Sequence, residues 1–160
     1  MIKFLWTTFW GKILLTFLVS MVPVIELRGA IPLATAHGLD FRIAIPIAIL
    51  GNLLPVPFII VFVRKVFAWI RKHLPKLNGF ITKLEDRAKA KSGTVLKYAF
   101  WGLFIFVAIP LPGTGAWTGA LIAAMLDMRL KKALPSITLG VLTAGTIVAI
   151  VSYGALAIFT

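Results

Sequence analysis

Two oppositely charged residues stand almost alone inside long apolar sequence. In "VPVIELRGAIP", residues 22 to 32, Glu26 is the only acid and Arg28 the only base in the apolar stretches away from their ends. A carboxylate here could carry a proton or hold a cation, and a guanidinium fork suits phosphate or carboxylate. A charge at a bilayer centre costs about 2.5 to 3.5 kcal/mol, so both side chains are expected to face the protein interior or a water-filled cavity. Gly29 and Pro32 complete this first break in the helical pattern. A second, "PLPGTG" at residues 110 to 115, supplies Gly113, Thr114 and Gly115. Free amides at helix N-termini and glycine turns favour an anion. Asn52, in "LGNLLP", could line the same cavity. The expected substrate-binding or coupling site is therefore Glu26, Arg28, Gly29, Pro32, Asn52, Gly113, Thr114 and Gly115. The competing reading is a structural Glu–Arg pair that holds the break together.

Composition sets the solvent. Sixty per cent of the 160 residues are hydrophobic and the mean hydropathy is +1.00, which predicts a single integral membrane domain with several passes. The net charge of +12 does not point to nucleic acid, because ten of the seventeen basic residues lie between Arg64 and Lys97, beside only Glu85 and Asp86. Such a juxtamembrane cluster marks segment 64–97 as cytoplasmic. Phe67, Ile70, Leu74, Leu77, Ile81 and Leu84 recur there at helical spacing, predicting an amphipathic segment on the inner membrane surface, divided at Pro75 and Asn78-Gly79. There is no cysteine, His37 and His73 are isolated, and no G-x-S-x-G occurs, so neither a metal site, a cofactor nor an enzyme is expected. The first twenty residues resemble a signal sequence, but Glu26, Arg28 and two prolines precede the A-x-A match at residues 34–36, so the segment is expected to be retained.

Four apolar regions are readable, at about 4–38, 43–63, 97–126 and 134–158. The second and fourth suit spanning helices, the second kinked at Pro55 and Pro57. The first and third are longer and broken in the middle. Each break leaves pieces of about 11 to 14 residues, roughly half the hydrocarbon thickness, which suit re-entrant hairpins; single kinked helices are the alternative. An internal repeat favours hairpins. At an offset of 87 the turn "LDFRI" falls on "LDMRL" and Pro23 on Pro110; after a two-residue insertion Pro46 falls on Pro135 and Gly51 on Gly140. The expected fold is an all-α integral membrane protein of two inverted repeats, each a re-entrant helical hairpin plus a spanning helix. Repeat 1 covers about 13–63, repeat 2 about 97–158, and the basic amphipathic cytoplasmic linker 64–96 joins them.

"ELRGAIPLATAHGLD" followed later by "PLPGTGAWTGALIAAMLDM" resembles the small multidrug export protein family, over most of the chain from about residue 20. That family more distantly resembles the DedA superfamily of bacterial membrane proteins, which implies paired re-entrant hairpins and movement of undecaprenyl phosphate across a bacterial or archaeal cell membrane. The second break here has no acid or arginine between Pro110 and Asp127, so only Glu26 and Arg28 carry over. The expected function is a small, proton-coupled transporter or flippase for an amphipathic substrate, an anionic lipid phosphate before a cationic drug. A multidrug exporter of lipophilic cations and a non-transporting membrane scaffold are the alternatives. Expected partners are membrane lipids and a second copy in a homodimer.

Overall fold

The computed structural model describes residues 6–111 and 113–159; residues 1–5, Pro112 of the second break and Thr160 lie outside it. The described residues form helices α1 (Phe9–Met21), α2 (Glu26–Ala36), α3 (Phe41–Leu53), α4 (Pro55–His73), α5 (Asn78–Lys91), α6 (Gly93–Tyr98), α7 (Phe100–Ala108), α8 (Ala116–Met125) and α9 (Leu130–Phe159), with a 3₁₀ turn at Pro75–Leu77. Two stretches, Phe41–His73 and Leu130–Ala155, are long and apolar enough to cross a bilayer. At the prolines the first stretch passes from α3 to α4 through Leu54 alone. Leu54 keeps helical angles, φ −56° and ψ −45°, and Pro55 opens α4, where a missing amide costs little.

Both long stretches run between the same two ends of the molecule, in opposite directions. At one end the Tyr153 hydroxyl, late in α9, donates to the Leu39 carbonyl at 2.8 Å, just before α3 begins. At the other end Arg64 of α4 pairs with Asp127, just before α9 begins, at 2.6 Å. The short helices fold back on themselves. Trp6, before α1, stacks on His37, after α2, with ring centroids 4.1 Å apart, so α1 and α2 are antiparallel. Their connected tip is residues 22–25, and their open end lies beside Leu39 and Tyr153. α8 likewise doubles back along α7, and its C-terminal end lies beside Arg64.

Small residues allow these helices to touch. Ala30, Ala34, Ala44, Ala48, Ala116, Ala120, Ala123 and Ala133 are all fully buried, the pattern by which membrane helices bring backbones close. A Cβ on Gly51 would strike the Phe17 carbonyl oxygen at 2.5 Å and the Ser20 hydroxyl; one on Gly140 would meet Val107 at 2.7 Å and the Phe104 carbonyl oxygen at 3.0 Å. Phe17 and Phe104 are 87 residues apart in sequence, as are Ser20 and Val107. α3 thus packs closely on α1, and α9 on α7.

The paired L-D-x-R turns are less alike than their letters. α2 is closed by Gly38 at φ +69°, with the Leu39 amide donating to the Ala34 carbonyl at 3.0 Å; Asp40 then caps α3 by accepting the Arg42 amide at 2.7 Å. α8 is closed by Asp127 itself, at φ +56°, with the Met128 amide donating to the Ala123 carbonyl at 2.9 Å. α2 and α8 end 89 residues apart, and α3 and α9 begin 89 apart. Gly38 and Asp127 thus both hold the left-handed position that closes a helix, whereas Asp40 is an N-cap.

The basic segment also departs from expectation. Pro75 does divide it, but Asn78-Gly79 opens α5 instead of breaking it. α5 folds back against α8 and buries Ile81 and Ala88. Part of its apolar stripe therefore faces protein.

Candidate functional site

Glu26 opens α2 at the first break, with φ +50° and only 2% of its surface exposed. Its carboxylate crosses to the second break, accepting the Trp117 amide at 3.0 Å and the Ala116 amide at 3.3 Å. Those are the first amides of α8, which have no partner inside their own helix. The carboxylate satisfies them and meets the positive end of the helix dipole. Gly115 makes the approach possible: its φ of +117° suits glycine, and a Cβ there would collide with the carboxylate.

Arg28 does the complementary work at the end of α7. Its guanidinium donates to the carbonyls of Ile109 at 3.2 Å, Thr114 at 3.2 Å and Val107 at 3.5 Å, and to that of Leu111. These carbonyls close α7 and line the 109–114 turn, those of Ile109 and Leu111 also accepting bonds from within the turn itself. The cation also faces the negative end of that helix's dipole. The link is reciprocal, since the Trp117 indole N–H donates to the Met21 carbonyl at 3.1 Å and caps α1. The ion pairs among the described residues are Arg64–Asp127 and Arg71–Glu85, so Glu26 and Arg28 bond the opposite backbone rather than each other.

The structure thus brings together Glu26, Arg28, Gly113, Thr114 and Gly115, and alters their expected roles. The anion at the glycine-flanked helix N-terminus is the protein's own carboxylate, and the guanidinium fork is filled by carbonyls. Thr114 turns inward on its own loop, its hydroxyl 2.8 Å from the carbonyl oxygens of both Ile109 and Leu111. The Gly29 amide is not free, since it donates to the Ile25 carbonyl at 2.9 Å. Pro32 sits exposed in the body of α2 and takes no part in the meeting of the two breaks. Asn52, 1% exposed, lies beside the Glu26 carboxylate with neither amide atom in a well-formed hydrogen bond.

A cavity of about 360 Å³ opens between α4, α5 and α8, with Glu26 and Trp117 at its inner end. Ile59, Val63, Phe67, Leu84 and Leu121 make its walls apolar, and Arg87, Lys91 and Glu26 are its charged lining. Lys91 donates to the Gly113 carbonyl, tying α5 to the second break. Sequence reasoning missed Arg87, Lys91, Ala116 and Trp117. The position of Ala116 and Trp117 directly after a glycine break could have exposed their amides; nothing local marks the two cations among ten.

Two bilayer-length apolar stretches and the shorter helices packed against them define an all-helical membrane protein. The chain belongs to the family described as "Putative small multi-drug export protein", whose model matches residues 26–147. No curated protein and no solved structure matches it.

Proposed function

We propose that this chain is a small inverted-repeat exporter that takes an amphipathic substrate into the cavity between α4, α5 and α8. The observation that carries the reading is that cavity, apolar along its walls and closed inwardly by the joint between the two breaks. α1–α2 and α7–α8 act as re-entrant hairpins entering from opposite faces, in support of which Leu39 and Tyr153 meet at one end of the molecule while Arg64 and Asp127 meet at the other. Segment 64–97 is cytoplasmic, and the exporter works as a homodimer because so few helices enclose a path poorly. Glu26 and Arg28 hold the two tips together at the midplane, and the joint must open for substrate to pass. A second reading, export of lipophilic cations, draws on the Glu26 carboxylate at the inner end of the cavity.

The test is efflux of an amphipathic fluorescent dye from proteoliposomes. Leu121→Trp fills the cavity without touching the joint and should abolish efflux while the protein remains monodisperse. Equal efflux by wild type, this variant and empty liposomes would overturn the proposal and favour a scaffold.

A further inference from the structure

The cavity's charges say which amphiphile it takes. Three charged groups line it, and their situations differ. The Glu26 carboxylate is buried and already accepts two α8 amides, so its charge is directed into the protein. Lys91 is bonded only to a neutral carbonyl, which leaves its positive charge uncompensated. Arg87 has no ion-pair partner among the described residues, and the acid nearest it in sequence that forms one, Glu85, is taken by Arg71 at 2.6 Å. Arg87 and Lys91 are four residues apart on α5, one helical turn, so both side chains stand on the same face over the cavity. Their apolar counterparts, Phe67, Leu84 and Leu121, line the same space.

We infer that Arg87 and Lys91 form the headgroup site for an amphipathic anion, whose chain lies along the apolar wall of α4 and α8. The inference rests on the cavity being the substrate cavity. It moves the anion site away from Arg28, whose two terminal nitrogens are taken by backbone carbonyls, to two cations of the basic segment. Those cations then do more than fix topology: they read the sign of the ligand. An organic cation would meet two like charges at the entrance and a carboxylate already satisfied.

The experiment measures binding to the purified protein in an uncharged detergent, with dodecyl phosphate, dodecyltrimethylammonium and inorganic phosphate as probes. Dodecyl phosphate should bind, inorganic phosphate should bind far more weakly for want of a chain, and the alkylammonium should bind weakest. The double variant Arg87→Gln/Lys91→Gln should weaken dodecyl phosphate by about tenfold or more, the scale of losing charge-assisted hydrogen bonds. Glutamine at 91 keeps a donor for the Gly113 carbonyl, so the fold is spared. Lys83→Gln, which removes a charge from the same helix outside the cavity, should change nothing. Dihexanoyl phosphatidate binding more tightly than dodecyl phosphate would assign the ligand to a lipid; the reverse order would assign it to a single-chain amphiphile. Preference for the alkylammonium, or a double variant that binds dodecyl phosphate as wild type does, would overturn the inference while leaving the cavity reading intact. Binding of no amphiphile of either charge would overturn both.

Discussion

The Glu26 carboxylate accepts the Trp117 backbone amide at 3.0 Å, across 91 residues of sequence. One buried acid thereby caps a helix belonging to the other half of the chain. With Arg28 on the end of α7 and the Trp117 indole on the end of α1, three helix termini at the breaks are satisfied by the opposite half.

Glu26→Gln should destabilise the protein by about 1 to 3 kcal/mol, because a neutral amide loses the charge facing the α8 dipole and aims a donor at donors. Glu26→Asp should lose a similar amount, being one methylene too short to span the joint. Thermal unfolding in detergent checks both. A Glu26→Gln protein as stable as wild type would show that the cap contributes little.

Arg28→Lys keeps the charge but replaces a planar fork serving four carbonyls with a single ammonium. The expected outcome is a loss of about 2 kcal/mol or more in stability, with amphiphile binding unchanged in the folded fraction. A selective loss of dodecyl phosphate binding with unaltered unfolding would return Arg28 to the ligand site.

Gly51→Ala and Gly140→Ala should each destabilise by about 1 to 3 kcal/mol, since the added methyl must displace the Phe17 or Phe104 backbone. Gly79→Ala, with open space around it inside α5, should be neutral or stabilising by up to about 1 kcal/mol. Unfolding temperatures of the three variants, measured together, separate close packing from glycine content.

Single cysteines at Lys12 and Asp40 should label from the same side of the membrane, opposite to Lys89. The chain's lack of native cysteine makes the assay clean. Labelling of positions 12 and 40 from opposite faces would overturn the proposed re-entrant hairpin in favour of a spanning helix.

Much of the architecture was legible because its signals are local. Hydropathy over about twenty residues marks a membrane span, proline and glycine mark where a helix stops, and a charge inside apolar sequence must find an interior partner. The breaks at Glu26 and at residues 110–115, the long helices and the prominence of Glu26 and Arg28 follow from such windows. The roles within the turns were not legible: "LDFRI" and "LDMRL" look equivalent, while Asp40 caps a helix and Asp127, like Gly38, takes the left-handed position that closes one.

What only the tertiary structure decided is which group meets which. Both breaks advertised amides for an anion, and the sequence could not say that Glu26 would be that anion or that Arg28 would cap carbonyls. Nor could it single out Arg87 and Lys91 from the other cations of the basic segment. These choices depend on helix ends that packing of small residues brings together from about 90 positions apart, and no short window of sequence contains both partners.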